Sequence, residues 1–343
     1  MIDLSNLIRP NIQSITPYSS ARDEFEGDAR IFLDANENPF AGEYNRYPDP
    51  HQKELKRKLA IIKNISENQL FIGNGSDEAI DLLFRAFCIP SVDEVIIPQP
   101  TYGMYSVSAH IQDVKIKSPT LTRDFDLDID QILSQVTSRT KLIFLCNPNN
   151  PTGNKLNSDR ITQLLQQFSG LVIIDEAYID FSPSFSWVTQ LSQFSNLVVL
   201  QTLSKAWGLA SLRLGLCMAT PEIISILNKI KPPYNISGIA QQAALRALEQ
   251  VDEKEKAVKE ILLQRTLLEK ELTLLPQTIQ VYPSEANFIL VKMTDASGIY
   301  KKLIAKGIVV RNRSNVILCS HCLRITVGTA EENEQLINEL KQA

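Results

Sequence analysis

The sequence predicts an α/β fold: a large domain with a mainly parallel sheet flanked by helices, plus a small α+β domain. Between Leu70 and Gly215, short apolar runs alternate with segments of helical periodicity, as in parallel sheets covered by helices on both faces. Polar loops follow several of these runs on their carboxyl side, where open α/β sheets bind ligands. Toward the C-terminus the order changes to strand, strand, helix, strand, strand, helix, which is typical of a compact α+β unit.

The predicted large domain covers residues 35–250, and residues 1–34 and 251–343 form the small domain and an N-terminal arm. Apolar runs predict its strands at 70–72, 95–97, 114–116, 142–145, 171–174 and 197–200, and helical periodicity predicts helices at 51–62, from Gly75 to about 88, and at 159–168. A charge-rich helix over 239–275 is a plausible connector. The small domain has predicted strands at 279–282, 288–291, 308–311 and 323–327, with helices at 299–306 and from about 330.

The composition is that of an ordinary soluble globular chain, with 44% hydrophobic and 22% charged residues. The net charge is -4 and no basic stripe is present, so nucleic acid is not an expected partner. The N-terminus lacks the pattern of a signal peptide, and no apolar run is long enough to span a bilayer, so no membrane partner is expected. Five scattered cysteines, an odd number, indicate reduced thiols and a cytoplasmic location.

Two cysteines stand close together in Cys319-Ser320-His321-Cys322, a spacing that invites a metal interpretation. Zinc requires a second pair of ligands, and none follows at a suitable spacing. The favoured interpretation is a loop with free thiols before a strand, and no metal is expected.

The stretch 197–215, LVVLQTLSKAWGLASLRLG, has the strongest chemical signature. An apolar strand is followed by Thr202, Ser204 and Lys205, and Arg213 comes shortly afterwards. Desolvation at a strand end lowers the pKa of an amine, and a neutral amine is a nucleophile. The stretch therefore suits an anionic carbonyl compound, although taken alone a solvated lysine at a strand end is the commoner situation.

A candidate phosphate site lies at Gly75-Ser76-Asp77, where a helix is predicted to begin. The free N–H groups and the dipole of a helix N-terminus bind phosphate, and glycine allows the anion to approach the backbone. The alternative is an ordinary N-cap made by Ser76. The pattern is neither a Walker loop nor a dinucleotide fingerprint, so nucleotide binding is not indicated.

Polar groups at neighbouring strand ends complete the candidate site. Asp175 ends an apolar strand and either caps a turn or faces a cation, and Tyr178 follows three residues later. Asn150 follows the neighbouring strand. Tyr102 offers a flat face for a ring, although core packing is the commoner role of a lone tyrosine.

Together these groups fit pyridoxal 5'-phosphate, which needs a lysine for its aldehyde and an acid for its ring nitrogen. Lys205 would meet the aldehyde, Asp175 the ring nitrogen and Tyr102 the ring face, while Asn150 and Tyr178 would bind the ring oxygen. The phosphate would bind at the helix start Gly75, Ser76 and Asp77, together with Thr202, Ser204 and Arg213.

The chain resembles the fold-type I, aspartate-aminotransferase-like, pyridoxal-phosphate-dependent aminotransferases, and among them the histidinol-phosphate branch. The matching motifs run nearly from end to end: TPYSSAR, LDANENP, NRYPDP, GNGSDEAIDLL, QPTYGMY, CNPNNPTG, DEAYIDF, TLSKAWGLASLRLG, SEANFILVK, GIVVRNRS and CLRITVGT. The NPTG, DEAY and SKAxGLxxLRxG elements mark the wider group. The pieces TPYSSAR, NRYP, VRNRS and LRITVGT narrow the resemblance to the histidinol-phosphate branch.

The resemblance implies a homodimer with two active sites at the subunit interface. Lys205 then binds the cofactor as a Schiff base and carries the proton, and Tyr47 reaches the cofactor phosphate of the partner subunit. Tyr18, Arg311 and Arg324 line the substrate pocket, with Arg324 at the position that aminotransferases use for the substrate carboxylate. From the sequence alone, two surface arginines are the simpler interpretation of Arg311 and Arg324.

The implied reaction is L-histidinol phosphate plus 2-oxoglutarate giving imidazole-acetol phosphate and L-glutamate, a step of histidine biosynthesis. The rivals within the group are an aminotransferase for aromatic amino acids and a threonine-phosphate decarboxylase. A non-catalytic sensor domain is a rival from another class, but the chain has no basic motif for nucleic acid.

Overall fold

The computed structural model describes residues 4–18, 30–40 and 42–342. It has two sheets, a mostly parallel one of seven strands and an antiparallel one of four. The predicted large α/β domain and small α+β domain are thereby confirmed. None of the helices in the described ranges is long and apolar enough to cross a membrane.

The seven-stranded sheet has the order β1-β7-β6-β5-β4-β2-β3. Its strands are β1 Leu70–Asn74, β2 Glu94–Ile96, β3 Lys115–Lys117, β4 Thr140–Cys146, β5 Leu171–Asp175, β6 Leu197–Thr202 and β7 Leu214–Met218. Neighbouring strands from β6 to β3 are parallel, whereas β7 is antiparallel to both β6 and β1. The chain therefore leaves β6 and returns directly along β7, and residues 203–213 form the connection at the carboxyl end of β6.

Helices cover both faces of this sheet. Successive residues of its buried strands point to opposite sides and therefore belong to two different apolar clusters. Ile143 and Val199 belong to one buried apolar cluster, and their neighbours Phe144 and Leu200 belong to another. The helices along this part of the chain are α1 Pro10–Ser14, α2 Lys53–Lys63, α3 Ser76–Phe87, α4 Met104–Ile111, α5 Ile129–Ser134, α6 Ser158–Gln167, α7 Pro221–Ile230 and α8 Gly238–Ala247. The double coverage explains why these strands are continuous apolar runs.

Two glycines allow β7 to pass very close to the turn between β1 and α3. Gly75 has φ +74° and its N–H donates to the Arg213 carbonyl at 2.7 Å. A Cβ atom at Gly215 would lie 2.0 Å from the backbone nitrogen of Ser76, closer than real Cβ contacts occur. Because both positions lack a side chain, Arg213 can lie directly beside the start of α3.

The four-stranded sheet has the order β10-β11-β9-β8, and all its neighbours are antiparallel. Its strands are β8 Thr278–Val281, β9 Phe288–Met293, β10 Arg311–Asn312 and β11 Cys322–Thr326, and its helices are α9 Val251–Thr273, α10 Ala296–Ala305 and α11 Ala330–Lys341. Leu323 and Ile325 belong to the cluster shared with these helices, whereas Cys322 and Leu290 belong to a cluster of the large domain. One face of the small sheet is thus covered by helices, and the other faces the large domain.

Some sequence predictions were wrong in detail. The helix expected over 239–275 is two helices, α8 and α9, because the chain turns at the buried Leu248. The strand expected at 308–311 is reduced to Arg311–Asn312, the residues in register with β11. Strand β7 and several helices were not predicted. The antiparallel return of β7 has no signature of its own in a run of alternating strands and helices.

The N-terminal segment packs differently from the expected grouping with the small domain. Leu4, Leu7 and Ile8 contact the apolar cluster of α3 and α7, and the backbone N–H of Arg9 donates to Ala86 at 2.9 Å. Residues 1–3 and 19–29 of the predicted arm lie outside the described residues. The boundary near residue 250 stays a prediction.

Candidate active site

A cleft opens at the carboxyl ends of β5 and β6, with about 500 Å³ of space that includes its opening to solvent. It lies where the parallel part of the sheet predicts a ligand site. The cleft is lined by Gly75, Ser76, Asp77, Tyr102, Cys146, Asp175, Ala177, Tyr178, Thr202, Ser204, Lys205 and Arg213. All of these except Cys146 and Ala177 were candidate residues in the sequence.

The start of α3 forms one end of the cleft. Gly75 is the N-cap and Ser76 the first helical residue, and no side chain of the described residues caps this helix. The expected alternative, an N-cap made by Ser76, is therefore wrong. Arg213 Nη2 lies 3.4 Å from the Asp77 carboxylate, and the backbone N–H of Ser204 donates to the Thr202 hydroxyl at 3.1 Å. A guanidinium, two hydroxyls and an uncapped helix N-terminus together favour a bound phosphate.

Asp175 is the buried acid of the cleft, with 2% of its surface exposed. The Tyr105 hydroxyl donates to its Oδ2 at 2.6 Å, and the Ala177 backbone N–H donates to its Oδ1 at 3.1 Å. Burial raises the pKa of Asp175 from 3.8 to about 6, while these two hydrogen bonds oppose the shift. A carboxylate held in this way stabilises a cation placed against it.

Two tyrosine rings stand beside the acid. Tyr102 lines the cleft, and its hydroxyl donates to Asp77 Oδ1 at 3.2 Å. Its ring meets that of Tyr105 edge to face, with the centroids 5.5 Å apart. Burial raises the pKa of the Tyr102 hydroxyl, and the nearby Asp77 adds to the shift, so this phenol stays neutral at physiological pH.

Lys205 lies in the loop just after β6 and reaches the cleft, with its Nζ 5.8 Å from the centre of the Tyr178 ring. The side chain is open to solvent through the mouth of the cleft, yet the surrounding protein removes part of its water. Desolvation is the largest cause that lowers the Lys205 pKa, and the charges of Arg324 and Arg213 lower it further. The shift increases the fraction of neutral amine, as predicted for a nucleophile.

Asn150 links the large domain to the small one. Its Nδ2 donates to the Tyr178 hydroxyl at 3.1 Å, and its Oδ1 accepts a hydrogen bond from Arg324 Nη1 at 2.6 Å. The Arg324 guanidinium also lies 5.1 Å from the ring centre of Phe288, which meets Tyr178 edge to face. Arg324 is therefore fixed on β11 next to the cleft, and the interpretation as a plain surface arginine is wrong for this residue.

Three other predicted residues do not line the cleft of the single chain. Tyr18 is 72% exposed and lies on the surface. Tyr47 is 49% exposed and stacks on Tyr234, with ring centroids 4.5 Å apart, in a separate surface pocket. Arg311 is exposed on β10, directly opposite Arg324 in the ladder. Their predicted roles depend on groups beyond this cleft and stay predictions.

Sequence reasoning missed Tyr105, Cys146 and Ala177. Tyr105 is buried inside α4 and carries no local sign of a polar role. Burial raises the pKa of the Cys146 thiol, which marks it as an unreactive wall residue.

Comparison with known proteins agrees with this geometry. The sequence profile of the family described as "Aminotransferase class I and II" matches residues 31–340. The "Histidinol-phosphate aminotransferase" of Parabacteroides distasonis is 53% identical over 341 residues, which cover 99% of both chains. The chain belongs to the histidinol-phosphate aminotransferases. It is an enzyme, an aminotransferase of class I and II.

Solved structures share the fold. The histidinol-phosphate aminotransferase from Clostridium acetobutylicum superimposes with a TM-score of 0.80 at 25% identity, over 87% of this chain and 90% of that one. The enzyme from Sinorhizobium meliloti, solved in complex with pyridoxal-5'-phosphate, gives a TM-score of 0.80 at 24% identity, over 97% and 96% of the two chains. The predicted fold-type I architecture is confirmed.

Proposed function

We propose that this enzyme uses pyridoxal 5'-phosphate to transfer the amino group of L-histidinol phosphate to 2-oxoglutarate, giving imidazole-acetol phosphate and L-glutamate. The observation that carries the proposal is the junction at Asn150, which joins the cleft containing Lys205 and Asp175 to an arginine of the small sheet. An amine and an acid in one cleft, with an anion-binding arginine beside it, are the groups that transamination of an anionic substrate requires. The full-length relative named above supports the choice of donor.

The residues present fit the cofactor. A Cβ atom at Gly75 would lie 2.8 Å from Arg213 Nη2, so the glycine keeps this end of the cleft open for an anion. Thr202, Ser204 and Arg213, with the first backbone N–H groups of α3, would hold the phosphate. Tyr102 would lie against the ring, and the Asn150–Tyr178 pair would bind the ring oxygen. Asp175 would bind the ring nitrogen.

When bound, pyridoxal phosphate supplies an aldehyde that captures amines and a ring that accepts electrons as a proton leaves the substrate Cα. Lys205 would take that proton, and its lowered pKa favours the neutral amine that can do so. Asp175 would hold the proton on the ring nitrogen. The hydroxyl of Tyr105 and the backbone N–H of Ala177 keep its carboxylate in place.

The anionic ends of the substrates would bind at the arginines of the small sheet. Arg324 would meet the carboxylate of glutamate or 2-oxoglutarate, because its hydrogen bond to Asn150 fixes it next to Tyr178. Arg311 lies opposite Arg324 and would add a second guanidinium for the phosphate of the donor. Tyr18 would add a hydroxyl from the N-terminal arm.

We also propose a homodimer in which two chains share each site. Tyr47 lies outside the cleft of its own chain, in a pocket with Tyr44, Tyr234 and Ile239. Tyr44 and Ile239 are 70% and 54% exposed, an apolar surface that a second subunit would cover. In this arrangement Tyr47 would reach the cofactor phosphate of the partner.

A panel of amino donors assayed with 2-oxoglutarate tests the proposed reaction. We expect the highest kcat/KM with L-histidinol phosphate, and lower values with phenylalanine and tyrosine. A clear preference for either aromatic amino acid would contradict the proposed donor. Release of carbon dioxide from threonine phosphate, without amino transfer, would indicate the decarboxylase instead.

A further inference from the structure

A third arginine lies on the same face of the small sheet as Arg311 and Arg324. The β10–β11 ladder pairs Arg311 with Arg324, and it continues one residue further, since the Arg313 N–H donates to the Cys322 carbonyl at 2.8 Å. Residues two apart on a strand share a face, so Arg313 lies on the side of Arg311. Cys322, its partner in the ladder, is buried in the cluster of the large domain. This face is therefore the one turned toward the cleft.

The three arginines have no paired counter-charge in the part of the chain that the structure describes. No carboxylate within the described ranges forms an ion pair with Arg311, Arg313 or Arg324. The Nε atoms of Arg313 and Arg324 are buried, and neither finds a hydrogen-bond acceptor in the described part of the chain. Buried donors without acceptors are costly, so their presence points to an anion that arrives from outside.

Electrostatic coupling shows that the three charges act on one another. Desolvation lowers the pKa of Arg313 most, and the charge of Arg311 lowers it further, while Cys319 and, less strongly, Tyr178 oppose the shift. The pKa of Arg324 is lowered first by desolvation and also by Arg313 and Arg311, again against Tyr178. Arg311 and Tyr178 therefore influence the pKa of both Arg313 and Arg324.

We propose that Arg313 binds the phosphate of the amino donor together with Arg311 and Arg324, and so selects phosphorylated donors over amino acids. A phosphate carries more charge and more acceptor oxygens than a carboxylate, and each guanidinium offers paired N–H donors. A carboxylate needs one arginine, which Arg324 provides. The assignment rests on the proposed reaction for the identity of the donor, but the phosphate site itself is independent of that identity.

The test compares Arg313→Gln and Arg313→Lys with the parent as holoenzymes, in which the cofactor already fills its own phosphate site. The first measurement is the dissociation constant of inorganic phosphate, and the second is kcat/KM for histidinol phosphate and, separately, for glutamate. Lys301→Gln is the matched control, because it removes one positive charge from an exposed position on α10, across the small sheet. Circular dichroism checks that each variant is folded.

We expect Arg313→Gln to weaken phosphate binding and kcat/KM for histidinol phosphate by about tenfold or more, the effect of losing a charged hydrogen bond. Glutamate should change by less than about threefold, since Arg324 remains. Arg313→Lys should recover part of the loss, because it restores the charge without the fork of donors.

Two results would overturn the assignment: phosphate binding equal to the parent in Arg313→Gln, or equal losses for histidinol phosphate and glutamate. If Arg313→Gln fails to fold, Arg313→Lys decides by the same two measurements. A parent enzyme without activity on histidinol phosphate would refute the proposed reaction. The phosphate titration would still test the role of Arg313.

Discussion

The two ends of the active-site cleft are built in different ways. The cofactor end consists of strand termini of the large sheet and the start of α3, and ten of its twelve candidate residues line one cleft within a single chain. The substrate end consists of arginines of the small sheet, which do not line this cleft, and of Tyr18, which is exposed on the surface. The acid of the first end already has its hydrogen-bond donors, whereas the second end has donors that still lack acceptors in the described part of the chain.

The difference follows from what fixes each side chain. Asp175 is held by two hydrogen bonds within the sheet core, so its position is determined before anything binds. Arg324 is held by one hydrogen bond to Asn150 and by its contact with the Phe288 ring, and Arg311 is exposed. A preorganised cofactor end suits a group that stays bound, and an open substrate end suits two substrates of different size that alternate in one pocket.

Removing the amine of the cofactor end should give the largest effect. We expect Lys205→Ala to reduce turnover by about 10²–10⁴-fold, the range for losing a general acid–base group. Borohydride treatment of the parent should fix the pyridoxyl group on the peptide containing Lys205 and abolish the visible band. The variant should not be labelled, and Lys301→Ala should behave as the parent. A reduced pyridoxyl group on any other lysine of the parent would disprove the assignment.

The buried acid Asp175 should be needed for activity, whereas its ionised form should destabilise the fold. Its pKa is raised from 3.8 to about 6, so the folded chain binds the Asp175 proton more tightly than the unfolded chain. Ionisation of Asp175 therefore lowers the free energy of unfolding as the pH rises from about 4 to 6. Above that range the loss is on the order of 2–3 kcal/mol. Asp175→Asn should then raise the melting temperature of the cofactor-free protein at pH 8, with no gain near pH 3.5, and should lose most turnover.

Thermal unfolding at the two pH values measures this effect, and Asp124→Asn serves as a control at an exposed loop carboxylate. A melting temperature of Asp175→Asn at or below that of the parent at pH 8 would contradict the cost of burial. Near-normal turnover of Asp175→Asn or Asp175→Ala would contradict the catalytic role.

A substitution at the substrate end should discriminate between substrates. Arg311→Ala should weaken transition-state binding of histidinol phosphate by about 1.5–3 kcal/mol, the value of a lost charged hydrogen bond. The loss for glutamate should be smaller. The measurement is kcat/KM for both half-reactions. Equal losses for both substrates would refute the division of labour between Arg311 and Arg324.

Recovery of activity in mixed dimers tests whether two chains share each site, and it should give the smallest signal of these experiments. Lys205→Ala and Tyr47→Phe chains, each inactive alone, are unfolded together and refolded as a mixture. Hybrid dimers contain one sound site, so random pairing should restore about a quarter of the parental activity. Tyr47→Phe must first be shown to be impaired by itself. If it is impaired and mixing restores nothing, the site is not shared.

The sequence predicted the cofactor end well because parallel strands bring their carboxyl ends together wherever they lie in the chain. Asp175, Ser204 and Lys205 could each be placed from the strand that precedes them. Tyr105 could not, because a buried hydroxyl in a helix has no pattern of its own. The substrate end was harder to predict from the sequence. The strand expected at 308–311 is only Arg311–Asn312, and only its register with β11 shows which arginines share a face.

The close passage of β7 has a consequence for natural variation at Gly215. An alanine there is among the mildest changes in the genetic code, and it touches neither cofactor nor substrate. Its methyl carbon would nevertheless overlap the Ser76 nitrogen at 2.0 Å and the Gly75 carbonyl carbon at 2.2 Å, so the turn that begins α3 would have to move. We therefore expect Gly215→Ala to distort the proposed phosphate site at the start of α3, although the substitution lies on a strand outside that site.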